Sequence, residues 1–145
     1  MKKVRYAVVG TGWISQIAFM PAIAQTGNSE MTAIVSGNPG NARRLADFYG
    51  ISDVYSYDRY GDMLKSGKVD AVYIALPNSQ HARFAVPALE AGIHALVEKP
   101  LATTMQECEA MIAASERSGA RLMTAYRLHS EPGTLEAIDM IRRGD

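Results

Sequence analysis

The sequence has a single cysteine, Cys108, and no long apolar run. One cysteine excludes an internal disulfide and a cysteine-based zinc site, and it fits a reducing compartment. Its simplest interpretation is a small buried or half-buried helix residue. No apolar stretch approaches the ~18 residues that cross a bilayer. The run after Met1-Lys2-Lys3 is too short for a signal peptide. We therefore expect a cytoplasmic protein with no membrane partner and no resident metal.

Excess charge of either sign is also lacking, because 15 basic residues balance 15 acidic residues. A neutral chain has no long-range attraction for nucleic acid or anionic lipid, so binding must come from a local site. The 145 residues correspond to about one domain, which is large enough to bury a core without a staple.

Short β-rich runs alternate with helical patterns, and Gly, Pro, Asn or Ser marks each change. This alternation is typical of β-α-β units around a parallel sheet, and it predicts an α/β doubly wound (Rossmann) fold. The predicted strands are Val4–Val9, Met31–Val35, a short piece near Val54-Tyr55, Ala71–Leu76, Ile93–Val97 and Leu122–Ala125. The first strand is nearly all apolar, as expected for a central strand covered on both faces.

The predicted helices have recognisable ends. Residues 13–25 form the first, which Pro21 should kink or restart. The others begin at Asn38, Asp58, Asn78 and Thr104, and end at Gly50, Gly67, Gly92 and Gly119. Among their apolar residues we expect Leu45 and Phe48 to face inward, and Leu135, Ile138 and Ile141 to mark the inner face of a last helix.

A glycine-rich turn follows the first predicted strand and opens the first helix. Its sequence is Gly10-Thr11-Gly12-Trp13-Ile14-Ser15, which matches G-x-G-x-x-G except that serine replaces the third glycine. In such a loop Gly10 permits the tight turn, Gly12 lets a pyrophosphate approach, and helix amides meet its charge. Ser15 is small enough for close helix–strand packing. A turn without a ligand is the alternative.

Cofactor choice should be set at the end of the second strand, where an acidic residue would hold the ribose hydroxyls of NAD. The sequence there is Ser36-Gly37-Asn38, without a carboxylate. Arg43 and Arg44 follow in the first turns of the next helix, where a guanidinium can meet a 2′-phosphate. We therefore expect NADP, with NAD as the alternative, although either arginine can equally be an ordinary surface residue.

Several segments together resemble the glucose-fructose oxidoreductase, inositol dehydrogenase and rhizopine-catabolism (Gfo/Idh/MocA) family. They are the glycine loop, residues 35–38, residues 71–82, Glu98-Lys99-Pro100, and residues 126–129. The resemblance extends over essentially the whole chain and is greatest to the NADP-dependent glucose-fructose oxidoreductases of the family. It implies an oxidoreductase that transfers a hydride between a nicotinamide cofactor and a sugar, polyol or related alcohol.

The resemblance also implies roles for residues outside the glycine loop. The Leu76-Pro77-Asn78 turn would line the cofactor cleft, with His81 on the helix that follows, although His81 can also be a plain helix-face residue. Lys99, assisted by Glu98, would be catalytic, and both would lie near the cofactor. Arg127 would lie near cofactor and substrate, flanked by Tyr126 and His129.

A hydride leaves a carbinol carbon only as its hydroxyl loses a proton, so a cation or base is needed near that oxygen. Lys99 fits this need. Burial and the positive nicotinamide ring would lower its proton affinity, whereas pairing with Glu98 would offset this, and both effects stay open at this stage. The alternative is that Glu98 and Lys99 form a surface ion pair.

Members of this family carry a second domain that completes the substrate pocket. We expect residues 1–125 to form the dinucleotide-binding domain, and residues 126–145 to form a connecting segment and helix toward a second domain absent from this chain. The chain alone is then expected to bind NADP(H), to turn over little, and to form a homo-oligomer through its uncovered surface. An NAD(P)-sensing regulator of the same fold, without catalysis, is the alternative function.

Overall fold

The computed structural model describes residues 2–144 and has one six-stranded sheet. All strand pairs are parallel, and their order is β3-β2-β1-β4-β5-β6. The strands are β1 (Val4–Val9), β2 (Ser29–Val35), β3 (Asp53–Tyr55), β4 (Ala71–Ile74), β5 (His94–Val97) and β6 (Leu122–Thr124). This is the doubly wound order of a dinucleotide-binding fold, which confirms the predicted fold class.

Helices connect the strands and cover both faces of the sheet. They are α1 (Met20–Ile23), α2 (Pro39–Tyr49), α3 (Tyr60–Lys65), α4 (His81–Glu90), α5 (Met105–Ser118) and α6 (Pro132–Arg143). One apolar cluster includes Val9, Phe84 and Met111, and a second cluster includes Val8, Ile34 and Leu45. Because Val8 and Val9 belong to different clusters, β1 is buried on both faces, as its apolar sequence predicts.

The predicted helix signals act as expected at two helices. Asn38 caps α2 by accepting a hydrogen bond from the Asn41 amide, and Gly50 ends this helix in a left-handed conformation. Thr104 and Glu107 form the predicted capping box of α5. Cys108, predicted to be a buried or half-buried helix residue, lies half-buried on the same helix.

The first helical segment covers residues 13–23 and is irregular. After two helical residues it widens into a π-helix at Ser15–Phe19, and α geometry resumes at Met20–Ile23. Pro21 has no amide hydrogen, so it is tolerated in the first turn of the restarted α1. The predicted restart at Pro21 is therefore confirmed, although the helix ends two residues earlier than predicted.

Two details of the sequence interpretation are wrong. Phe48 is 78% exposed, because α2 buries Ala42, Leu45 and Ala46 instead. Asp58 does not cap α3, because it lies inside a 3₁₀ turn at Tyr57–Arg59 that precedes the helix.

The predicted inner face of α6 is also wrong within the described part of the chain. Leu135, Ile138 and Ile141 are 45%, 39% and 76% exposed. The helix has no buried residue, although its amphipathic pattern and its Glu131 N-cap are both present. The sequence identified an apolar face correctly, but no described residue covers it.

Candidate active site

The carboxyl ends of the strands form one edge of the sheet, and the polar and glycine-rich turns lie there. In the register, Val9 lies opposite both Val35 and Ile74, and Ile74 lies opposite Val97. The segments that follow these strands are therefore neighbours. They are the glycine loop, the Ser36-Gly37-Asn38 turn, the Leu76-Pro77-Asn78 turn and Glu98-Lys99-Pro100.

A cleft of about 300 Å³ opens at this edge. It is lined by Trp13, Ile14, Ala75, Leu76, Asn78, Glu98 and Lys99. Six of these seven residues were predicted from the sequence to contact a cofactor or to act in catalysis. Open α/β sheets bind ligands at this edge, in the crevice where the strand order reverses. Here the reversal falls between β1 and β4, and the cleft lies beside it.

Another depression, of about 390 Å³, lies away from this edge and includes Arg5, Asp53 and Lys68. The Lys68 ammonium pairs with Asp53 at 2.9 Å, and the Arg5 guanidinium pairs with Asp70 at 2.7 Å. Its charged side chains therefore already have protein partners, and it contains none of the predicted site residues.

Gly10 is required by the geometry of the turn. Its φ is +95°, and a Cβ there would lie 2.5 Å from the Ala75 carbonyl oxygen. Ser15, which replaces the third glycine of the motif, is fully buried and donates a hydrogen bond to the Gly10 carbonyl oxygen at 2.7 Å. The Ser15 side chain therefore links the helix to the turn through a hydrogen bond that a glycine at this position could not make.

Gly12 is in a different environment. It is exposed, and apart from Gly12 itself and its neighbours along the chain, no atom of the described residues lies within 4 Å of the place where a Cβ would stand. It immediately precedes the first helical segment, whose initial amides have no intrahelical acceptor. The backbone at Gly12 is thus open to an anionic group, and the residues present fit the diphosphate of a dinucleotide.

Polar side chains join the glycine loop to the end of β2. The Thr11 and Ser36 hydroxyls lie 2.7 Å apart, and Ser36 accepts a hydrogen bond from the Asn38 amide at 3.1 Å. The Asn41 side-chain amide donates to the Thr11 carbonyl oxygen at 3.1 Å. This network fixes the Ser36-Gly37-Asn38 turn against the loop.

The two candidate arginines differ in their surroundings. The Arg44 guanidinium donates to Gln16 Oε1 and Asn41 Oδ1, both at 2.8 Å. Gln16 in turn donates to the Thr11 carbonyl oxygen at 2.9 Å. Arg43 is exposed and makes no hydrogen bond or ion pair with residues 2–144. Arg44 is therefore held beside the loop, whereas Arg43 is not.

Glu98 and Lys99 both reach the cleft, but they do not form the ion pair considered above. Glu98 Oε1 accepts a hydrogen bond from the Tyr73 hydroxyl at 2.7 Å, and Oε2 accepts one from the Lys99 backbone amide at 3.3 Å. Lys99 is exposed. Among residues 2–144 its ammonium has no carboxylate partner.

His81 is fully buried and does not lie on an open helix face. Its Nδ1 lies 2.9 Å from the Pro100 carbonyl oxygen, and its Nε2 lies 3.0 Å from the Leu76 carbonyl oxygen. The imidazole therefore joins the Leu76-Pro77-Asn78 turn to the turn that carries Lys99. Its geometry supports an indirect influence on the cleft, through these two backbone segments.

Arg127 lies outside the cleft described above. It occupies an exposed 3₁₀ turn at Arg127–Ser130, beyond the end of β6. The neighbouring Tyr126 and His129 rings lie 5.7 Å apart. None of these three residues lines the cleft, although the turn that carries them follows β6 next to the end of β5, where Val97 lies opposite Thr124.

Sequence analysis missed four residues of the site, namely Ala75, Tyr73, Gln16 and Asn41. Tyr73 lies within an apolar strand, where a tyrosine is read as core. Gln16 follows Ser15 of the glycine motif, and Asn41 lies three residues after Asn38, and these positions are the only sequence signal they carry. Within residues 2–144, no group of three His, Cys, Asp or Glu side chains is placed to hold a metal ion. No helix of this region is long and apolar enough to cross a membrane.

The sheet order, the glycine loop at its carboxyl edge and the adjoining cleft together define a dinucleotide-binding domain of the oxidoreductase type. Comparison with known families is more specific. The family model described as "Oxidoreductase family, NAD-binding Rossmann fold" (GFO_IDH_MocA) matches residues 4–126, and the chain belongs to this family. The resemblance inferred from the sequence motifs is thereby confirmed.

Known proteins of similar sequence and structure act on sugars. The chain is 34% identical over 142 residues to a D-xylose 1-dehydrogenase [NADP(+)] of Haloarcula marismortui. The aligned region covers 97% of this chain and 39% of that enzyme. The aldose-aldose oxidoreductase of Caulobacter crescentus, complexed with glycerol, superimposes with a TM-score of 0.93 at 38% identity. This match covers 99% of this chain and 43% of that one.

A second similar structure contains a nucleotide cofactor. KijD10, a 3-ketoreductase from Actinomadura kijaniata in complex with NADP and TDP-benzene, has a TM-score of 0.91 at 32% identity. The match covers 99% of this chain and 43% of KijD10. The chain therefore spans about two fifths of the length of these relatives.

Proposed function

We propose that this chain is the NADP(H)-binding domain of an oxidoreductase that transfers a hydride between the nicotinamide and a sugar, polyol or related alcohol. One observation carries the proposal: the glycine-loop residues Trp13 and Ile14 and the candidate catalytic residue Lys99 line the same cleft. A diphosphate at the loop and a reacting group at Lys99 can thus belong to one bound dinucleotide. The similarity to NADP-dependent sugar enzymes supports this assignment.

The diphosphate would be held by backbone amides at the start of the first helical segment. Gly12 leaves room for its approach, and Gly10 allows the turn that points these amides at the carboxyl edge. The Leu76-Pro77-Asn78 turn would form the opposite wall, since Leu76 and Asn78 line the cleft with Trp13.

The 2′-phosphate would be recognised by Arg44, with Ser36, Gly37 and Asn38 beside it. Two contacts to Gln16 and Asn41 use only part of the guanidinium, which has five N–H donors. Those contacts order the side chain in advance, which reduces the entropy lost on binding. Arg43 remains the second candidate because it is adjacent and unpaired.

Lys99 would stabilise the reacting oxygen of the substrate. Bound oxidised nicotinamide would supply the acceptor for a hydride from the carbinol carbon. The hydroxyl proton must leave together with the hydride, and it would pass to a base of the second domain. The Lys99 ammonium would donate a hydrogen bond to the substrate oxygen, on which negative charge develops. Its exposed position leaves it free to do so.

The whole reaction would require a second domain, reached through residues 126–145. The uncovered apolar face of α6, with Leu135, Ile138 and Ile141, supports this proposal. Within this chain alone the same face supports homo-oligomerisation, which sedimentation velocity at increasing concentration would reveal. We propose a cytoplasmic location and no nucleic-acid partner, which the lone cysteine and the balanced charge support.

The binding proposal is tested by titration with NADPH. Trp13 is the only tryptophan and lines the cleft, so bound NADPH should quench its emission by energy transfer. We expect saturable quenching with NADPH and weaker binding of NADH. Quenching that does not saturate at millimolar cofactor would contradict the proposal.

Adjacent arginines provide a matched pair for the phosphate contact. We expect Arg44→Ala to weaken NADPH binding at least about tenfold, since a charge-assisted hydrogen bond contributes roughly 1.5–3 kcal/mol, and to leave NADH binding unchanged. Arg43→Ala removes the same charge from an unpaired position and should have a smaller effect. Equal losses in both variants would refute a specific role for Arg44.

Turnover is tested on aldoses and polyols with NADP. We expect this chain to bind cofactor but to oxidise sugar at no more than trace rates, because half a pocket neither orients the substrate nor excludes water. Rapid oxidation by the chain alone would contradict the need for a second domain.

A further inference from the structure

The Glu98 carboxylate is fixed against the sheet by two hydrogen bonds. Oε1 accepts from the Tyr73 hydroxyl at 2.7 Å, and Oε2 accepts from the Lys99 backbone amide at 3.3 Å. The Tyr73 bond is short and charge-assisted, so it is the stronger of the two. Both oxygens of this carboxylate are thus occupied by groups other than the Lys99 ammonium.

Tyr73 is itself held in place. It lies on β4 opposite Leu96 of β5, so its ring shares a face of the sheet with Glu98, which follows two residues after Leu96. The residue is only 2% exposed. Its ring stacks on Phe19 with centroids 3.8 Å apart and planes 7° from parallel. Burial and the hydrogen bond to Glu98 both raise the pKa of the Tyr73 hydroxyl, which therefore stays a donor.

Lys99 would have an obvious partner if Glu98 were released. Both side chains line the same cleft, and Lys99 is exposed. An ammonium and a carboxylate on adjacent residues in one cleft attract each other, and a lysine in such a pair would be less available to a substrate oxygen. The observed structure avoids this outcome.

We propose that Tyr73 is a positioning residue that holds the Glu98 carboxylate on the sheet and so keeps the Lys99 ammonium unpaired. The proposal deepens the role of Lys99 and rests on the function proposed above. Tyr73 acts through Glu98 and not by contact with a substrate. Phe19 contributes by fixing the tyrosine ring.

The test measures how fast the Lys99 amine reacts with an acetylating reagent. Trypsin cleaves poorly before proline, so Lys99-Pro100 stays intact and residues 84–117 form one peptide with Lys99 as its only lysine. A short pulse of reagent followed by mass spectrometry of this peptide gives the extent of Lys99 acetylation. No cofactor is added, so this result is independent of the NADPH titration, which alone tests the proposed function.

Tyr73→Phe removes the hydroxyl and retains the stacked ring. We expect Lys99 acetylation to slow about threefold, the factor for a newly formed, partly exposed ion pair. Tyr6→Phe is the matched control. Tyr6 also contacts Phe19, with centroids 5.5 Å apart, but its hydroxyl has no hydrogen-bond partner among residues 2–144. The control should acetylate at the original rate.

The double variant Tyr73→Phe with Glu98→Gln separates positioning from general disturbance. Removal of the freed charge should restore the original acetylation rate, which damage to the fold would not do. An unchanged or faster rate in Tyr73→Phe, or a slow rate that Glu98→Gln does not restore, would overturn the proposal. Should Tyr73→Phe fail to fold, Phe19→Leu tests the same claim. It keeps the hydroxyl but frees the ring, and it must slow acetylation in a Glu98-dependent way.

Discussion

Replacement by alanine should affect different properties at the two glycines of the loop: folding stability at Gly10 and cofactor binding at Gly12. At Gly10 the added methyl group would lie 2.5 Å from the Ala75 carbonyl oxygen and 2.9 Å from Leu76 Cδ2. The φ of +95° is also unfavourable for alanine. At Gly12 the methyl group meets no described atom within 4 Å, and φ lies outside the range that favours glycine.

The two backbone geometries predict different losses of folding stability on replacement by alanine. The left-handed backbone costs about 1–2 kcal/mol and the overlap about 1–3 kcal/mol, so Gly10→Ala should lower the free energy of unfolding by about 3 kcal/mol. For a domain of this size the corresponding fall in Tm is about 10 °C. Gly12→Ala should change stability by less than about 0.5 kcal/mol. Its methyl group, however, would stand where the diphosphate approaches, so NADPH affinity should fall at least about tenfold.

Urea denaturation followed by circular dichroism measures the stability of both variants, and quenching of Trp13 by NADPH measures binding. A Gly10→Ala variant as stable as the original chain would refute the close-approach argument. A Gly12→Ala variant that binds NADPH normally would show that the loop does not hold the diphosphate.

Three further results are expected. Ser15→Ala loses a buried 2.7 Å bond to the Gly10 carbonyl oxygen and should destabilise the chain by about 1–2 kcal/mol in urea denaturation, whereas full stability would mean that the hydroxyl is dispensable. The Arg5 guanidinium holds the pKa of Asp70 well below its usual range, so this carboxylate stabilises the fold above about pH 5 and the effect is lost as pH falls. Asp70→Asn should therefore unfold at lower urea at neutral pH, with a difference that shrinks in acid; a constant difference would be inconsistent with this linkage. Burial raises the pKa of the Tyr60 hydroxyl, so its stabilising effect is complete below about pH 10 and lost above it. Tyr60→Phe should then have less tyrosinate absorbance than the original chain only at the alkaline pH at which the chain unfolds. Lower absorbance of the variant below that pH would argue against burial of Tyr60.

Local sequence signals predicted the fold because each one is satisfied by nearby residues. The left-handed Gly50, the Asn38 cap and the Thr104 capping box all depend on contacts within a few residues. The apolar strands predicted the parallel sheet, and their carboxyl ends placed the glycine loop near Lys99. The local sequence is therefore sufficient to predict these features.

Features that depend on sheet order or on a distant partner were not predictable in this way. The Tyr73–Glu98 bond joins residues 25 positions apart, and it follows only once β4 and β5 are known to be neighbours. The apolar face of α6 was predicted to be buried but is exposed, because an apolar stripe on a helix does not indicate which surface will cover it. His81 was assigned to the cleft by resemblance, and only packing reveals that its ring is enclosed between two turns.

The most direct measurement is a crystal structure of this chain soaked with NADPH. We expect to find the diphosphate on the amides that follow Gly12, the 2′-phosphate at Arg44, and the nicotinamide in the cleft beside Lys99. A nucleotide bound with its diphosphate away from the glycine loop, or with its nicotinamide out of reach of Lys99, would contradict this expectation.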